Sequence, residues 1–92
     1  MILSFKCRDT ERLANGVRVL RFLQIERAAL RKLRQLQIAR NVGDLRIPPG
    51  NMLEPLSHDR LGQYSIRINR QFRLCFCWTT AGVTDVEIVD YH

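Results

Sequence analysis

The chain has 92 residues, 46% of them apolar, and a net charge of +6 at neutral pH. That length suits one domain able to bury a core unaided and excludes a second, and no run approaches the roughly 20 consecutive apolar residues of a membrane span. The opening MILSFKCR lacks the apolar core of a signal peptide, so a soluble, cytoplasmic protein with no membrane partner is expected.

The charge comes from 13 arginines and two lysines, Lys6 and Lys32. Arginine offers a flat, permanently charged fork that binds phosphate bidentately and stacks on bases, which fits an RNA or DNA partner; an acidic protein would fit it equally. The nine acidic residues are scattered, so no acidic tail masks the basic surface. The three cysteines, Cys7, Cys75 and Cys77, are an odd number with one pair too close to staple a fold, and reduced thiols are expected. Together with His58 they match no common zinc spacing. No metal and no cofactor are expected.

In chain order, Ile2 to Lys6 alternates as a first strand. Asp9 and Thr10 are placed to cap a brief helix running to Leu13 or Ala14, with Asn15-Gly16 as its stop. The main helix is predicted from about Leu23 to Ile38. Ile25, Ala29, Leu33 and Leu36 recur on one face, and Arg27, Arg31 and Arg34 on another that is either solvated or a contact surface. Asn41 and Gly43 end it, and Pro48-Pro49-Gly50-Asn51 is an irregular connector. Four short strands follow, Leu53–Leu56, Gln63–Asn69, Phe72–Trp78 and Val83–Val89, in an antiparallel meander. The fold class is therefore α+β in a single domain, residues 1–92, in the order β-α-α-β-β-β-β, with both helices on one face of a twisted sheet.

Alternation along the strands divides their side chains. Tyr64, Ile66, Ile68, Leu74, Phe76 and Trp78 point to the helices, and Ser65, Arg67, Asn69, Arg73, Cys75 and Cys77 away from them. If the alternation persists, Glu87 and Tyr91 join the second face. There is no Gly-rich phosphate loop, no paired metal-binding histidines, no nucleophile elbow and no carboxylate cluster.

The chain closes on Asp90-Tyr91-His92. A metal-free ribonuclease must take a proton from a 2′-hydroxyl, stabilise charge on the phosphorus and protonate the departing 5′-oxygen. His92, with an ordinary pKa of about 6.5, serves as acid or base near neutrality. Arg67 and Arg73 are candidates for the phosphate oxygens, Tyr91 for a base, and Asp90 for orienting the imidazole. Glu54 and His58 form a second candidate acid/base pair. The structural alternatives are that Arg67 and Arg73 pair across strands with Glu87 or Asp85, that Glu54 neutralises an arginine, and that His58 belongs to a turn.

The runs Pro48-Pro49-Gly50-Asn51, Leu53-Glu54-Pro55-Leu56, Gly62 to Asn69, Gln71 to Phe76 and Val86 to His92 resemble HigB-type toxins of the RelE superfamily. The resemblance extends over the whole chain, and the terminal Asp-Tyr-His is its strongest element. It implies a ribosome-dependent endoribonuclease that cuts messenger RNA, neutralised by a HigA-type antitoxin whose helix-turn-helix domain binds operator DNA. It further implies that Arg73 binds the scissile phosphate, Tyr91 stacks on or orients the RNA, His92 is the acid/base and Asp90 supports them. The sequence departs from the pattern at Glu54 and Ser57, where some members carry histidine and lysine. Either His92 then works more alone, Glu54 takes a share, or cleavage is slow. ParE-type relatives, which bind DNA gyrase without cleaving RNA, imply a non-catalytic inhibitor as the alternative. A basic nucleic-acid-binding module is a third reading.

Overall fold

The computed structural model describes residues 1–56 and 62–91; Ser57, His58 and His92 lie outside the described residues. Two helices precede the sheet, α1 (Arg8–Ala14) and α2 (Glu26–Ile38), with 3₁₀ turns at Leu20–Ile25, Val42–Arg46 and Pro49–Asn51. The strands are β1 (Glu54–Pro55), β2 (Gln63–Arg67), β3 (Phe72–Trp78) and β4 (Val83–Asp90), side by side in that order and antiparallel throughout. This is the predicted α+β architecture. Among the described residues, no helix is long and apolar enough to cross a membrane.

The spacing of apolar residues determines what packs where. On α2, Ala29, Leu33 and Leu36 are buried one helical turn apart and meet a sheet face made of Ile66, Leu74, Phe76, Val86 and Ile88. Leu13 of α1, Phe22 and Ile25 of the first 3₁₀ turn and Leu45 of the second join the same core. Phe22 meets Phe72 edge-on, with ring centroids 6.2 Å apart. Trp78 packs against this core as its alternation requires.

The structure differs from the sequence reading at several element boundaries: β1 spans Glu54–Pro55 rather than Leu53–Leu56, β2 ends at Arg67 rather than Asn69, and the N-terminal elements shift as well. The predicted first strand is reduced to two parallel bridges to β4, Ile2 with Val83 and Phe5 with Val86. Between them β4 carries an irregularity, because Cys75 pairs with Glu87 but Cys77 pairs with Thr84. The extra residue is absorbed at Asp85, whose φ of 54° lies in the left-handed region and whose N–H donates to Ser4 Oγ at 3.0 Å. A bulge there interrupts a continuous ladder. At its start the N-terminal segment approaches closely because residue 82 is glycine; a Cβ there would stand 2.8 Å from the Met1 carbonyl oxygen.

Helix α1 begins earlier than expected, with its N-cap at Cys7, two residues before Asp9, and no side-chain cap. Asp9 and Thr10 fall in its first turn. The Thr10 hydroxyl is fully buried and accepts from the Ile88 N–H at 3.0 Å, which ties α1 to β4. The main helix starts later than predicted. Ile25, at φ −112° and ψ 6°, separates the 3₁₀ turn from α2.

Candidate active site

The face of the sheet turned away from the helices is built by the β2–β3 hairpin. Asn69 shapes its turn, its Oδ1 accepting from the N–H groups of Gln71 at 2.9 Å and Phe72 at 2.8 Å. That geometry sets the register in which Arg67 lies directly opposite Arg73. Like charges facing each other across a strand pair are unfavourable unless an anion sits beside them. Arg70 stands in the same turn. Arg67, Asn69, Arg70 and Arg73, with Met52 and Tyr91, line an open cleft of about 440 Å³.

Each cation is differently held. The Arg73 Nε donates to Ser65 Oγ at 2.8 Å and one terminal nitrogen donates to the Met52 carbonyl at 2.7 Å, so its fork is fixed on two sides. The Arg67 Nε donates to the Asn69 carbonyl at 3.1 Å. Among the described residues neither arginine forms an ion pair; Glu87 pairs with Lys6 at 3.8 Å. Cross-strand pairing with Glu87 or Asp85 therefore does not account for them. Beside this cluster runs a row set by register, Glu54 opposite Ser65, Ser65 opposite Cys75 and Cys75 opposite Glu87. Glu54 ends that row at the exposed sheet edge, outside the lining of the cleft.

The end of β4 is fastened rather than frayed. The Tyr91 N–H donates to the Gln71 carbonyl at 2.6 Å, and the Gln71 side-chain amide donates to Asp90 Oδ2 at 3.0 Å. Tyr91 is 43% exposed and lines the cleft, with its hydroxyl 4.0 Å from Cys75 Sγ. Asp90 pairs with Phe72 and projects to the opposite face, where it lines a smaller cavity with Arg21, Phe22 and Ile88. Of the sequence candidates, then, Arg67, Arg73 and Tyr91 come together. Asp90 sits behind them, Glu54 stands at the edge, and His92, which follows Tyr91 directly in the chain, lies outside the described residues.

Sequence reasoning missed Met52, Ser65, Asn69 and Arg70. The position of Arg70 beside a turn-forming asparagine was a readable signal. The roles of Ser65 and Met52 arise from tertiary hydrogen bonds and leave no pattern. Thiol chemistry is not supported on this face: Cys75 is fully buried, and Cys77 has its pKa raised by burial and then by the Asp85 carboxylate, so it stays protonated at neutral pH. Among the described residues no cluster of three or more metal-ligating side chains exists. A larger cavity of about 560 Å³, between the N-terminal segment and the helices, is lined mainly by apolar groups with Arg34 as its charged member. The smaller, cationic cleft is thus the place where chemistry on a polyanion is feasible.

Known proteins share this sequence over most of its length. Residues 17–92 match the family model of HigB-like toxins, described as RelE-like toxins of type II toxin-antitoxin systems. The chain is 47% identical over 68 residues to Toxin HigB-1 of Vibrio cholerae, an alignment covering 74% of this chain and 70% of that protein. It is also 46% identical over 58 residues to an uncharacterized protein of Haemophilus influenzae, covering 63% of this chain and 57% of the relative.

Proposed function

Because the chain belongs to the HigB-like family of type II toxin-antitoxin toxins, we propose that it is a ribosome-dependent, metal-independent messenger RNA endoribonuclease. The observation that carries the proposal is the facing pair Arg67 and Arg73 with Arg70 beside them, three cations on one cleft that have no ion-pair partner among the described residues. Such a cluster is stabilised by successive phosphates of a single strand.

Arg73, oriented by Ser65 and Met52, holds the scissile phosphate and stabilises the charge that builds on it. Arg67 and Arg70 hold flanking phosphates, and the exposed Tyr91 ring stacks on or orients a base. The 2′-hydroxyl gives its proton to a base and its oxygen bonds to phosphorus; the P–O5′ bond breaks and the leaving oxygen takes a proton. The products are a 2′,3′-cyclic phosphate and a 5′-hydroxyl. His92 is the proposed proton carrier, one residue past the ring that borders the cleft. Asp90 supports it indirectly by pinning Gln71, whose carbonyl anchors Tyr91. Glu54 is the second acid/base candidate, one row from Arg73.

The proposed partners are a HigA-type antitoxin, the ribosome with its messenger RNA, and operator DNA reached through the antitoxin complex, all in the cytoplasm. The test is primer-extension mapping of messenger RNA 5′ ends on translating ribosomes, using untagged wild type, His92→Ala and a ribosome-free control. Codon-phased cuts that require both the ribosome and His92 are expected. Growth arrest without cuts, retained by His92→Ala, would replace this reading with a binding inhibitor such as a gyrase poison.

A further inference from the structure

Asn51 is a buried polar residue that the chemistry above does not use. It has no exposed surface, yet its side chain is fully engaged. The amide nitrogen donates to Gln35 Oε1 at 2.9 Å and to the Leu45 carbonyl at 3.1 Å, with the Ile47 carbonyl at 3.5 Å, while Oδ1 accepts from the Lys32 ammonium. One side chain thus ties α2 to the connector between helix and sheet. Its own N–H closes the last 3₁₀ turn onto the Pro48 carbonyl at 2.9 Å.

The next residue is Met52, at φ 48° and ψ 54°. A non-glycine residue takes the left-handed region only where its surroundings hold it there. That conformation directs the Met52 carbonyl at the Arg73 guanidinium, 2.7 Å away. Met52 and Arg73 both line the cleft, and Asn51 does not.

We infer that Asn51 is a positioning residue for Arg73: fixed to α2 and the connector, it holds the Met52 carbonyl where that oxygen aims the guanidinium into the cleft. The inference rests on the reading of the cleft as an RNA phosphate site and adds what sets its geometry. Ser65 anchors the fork from the neighbouring strand and Met52 anchors it from the connector, so loss of the second anchor leaves Arg73 present but misdirected.

A double-mutant cycle separates positioning from general support of the fold. The readout is fluorescence-anisotropy binding of a short single-stranded 2′-O-methyl RNA, which cannot be cleaved, to the untagged full chain. Asn51→Ala should weaken binding about tenfold in the wild-type background and by less than about twofold in the Arg73→Ala background, because the group it positions is gone. Equal weakening on both backgrounds would overturn the inference while leaving the phosphate site intact. Arg73→Ala binding as tightly as wild type would overturn the reading of the cleft and the inference with it. If Asn51→Ala does not fold, Gln35→Met removes one acceptor of the Asn51 amide without changing charge. The same non-additivity with Arg73→Ala is then expected at smaller amplitude, and additivity contradicts the inference.

Discussion

The two faces of the sheet are drawn from alternate residues of the same strands and satisfy opposite demands. In β3, Leu74 and Phe76 are fully buried against the helices, while Arg73, their neighbour in sequence, extends its guanidinium to Ser65 and Met52 on the other side. The helix face is made of side chains that complete one another. The open face sets Arg67 opposite Arg73 and places Arg70 in the adjoining turn, an arrangement that costs the isolated protein electrostatic energy and that an anion relieves. One face is closed by its own residues, whereas the other leaves its cations without an ion-pair partner among the described residues.

Substitutions on the two faces should therefore separate stability from function. The largest stability loss belongs to the helix face. Phe76→Ala is expected to cost about 3–5 kcal/mol, read as a lower denaturation midpoint, because a fully buried ring leaves a cavity. A loss below about 1 kcal/mol would mean that the face is less closely packed than its burial implies. Next comes Thr10→Val, which keeps the shape but removes the acceptor of the Ile88 N–H; a buried donor left unsatisfied should lower stability by about 1–3 kcal/mol.

Smaller effects mark the open face. Arg70→Ala should leave the melting temperature nearly unchanged and reduce the salt dependence of RNA binding by about 0.7 in the log–log slope, the release of one phosphate contact. An unchanged slope would place Arg70 outside the bound strand's path. The smallest effect concerns thiol reactivity away from the cleft. Burial alone would raise the Cys7 pKa, but the Thr10 backbone and hydroxyl, the Asp9 backbone and the Arg21 guanidinium outweigh it and lower it. Cys77 is shifted upward. Because the thiolate is the reactive form, Cys7 should alkylate before Cys77 at neutral pH, and Cys75 last, as followed by peptide mass spectrometry. Faster reaction at Cys77 would contradict that ordering.

Much of this contrast was legible in the sequence, because period two is a strong signal. Strand β3 spans Phe72–Trp78 as predicted, and extending the same alternation past β4 places Tyr91 with Arg67 and Arg73. The same rule puts Asp90 on the opposite face, although its adjacency to Tyr91 and His92 invites grouping the three together. Residues adjacent in a strand are separated by the sheet's thickness, and chemical kinship along the chain is a poor guide to convergence. What stayed unreadable depends on tertiary partners. Ser65 looks like any outward-facing serine until Arg73 reaches it. Met52 bears no mark of its left-handed backbone, and Asn51 reads as part of a turn rather than as the anchor between α2 and the connector. The broken N-terminal ladder likewise follows from a bulge at Asp85, for which that residue offers no strong local signal.

The most direct test of the arginine-lined face as the catalytic one compares two substitutions that each remove a single positive charge. Arg73→Gln alters the cleft, and Arg34→Gln alters an exposed position on α2 beside the larger apolar cavity. In primer-extension mapping on translating ribosomes, Arg73→Gln should lose cleavage by about 10²–10³-fold, the scale of losing one preorganised group that stabilises the transition state. Arg34→Gln should stay within about threefold of wild type, the loss expected when a single exposed charge contributes only sequence-independent attraction. Equal losses at the two positions, or retained cleavage in Arg73→Gln, would contradict the assignment and point to bulk charge rather than a built site.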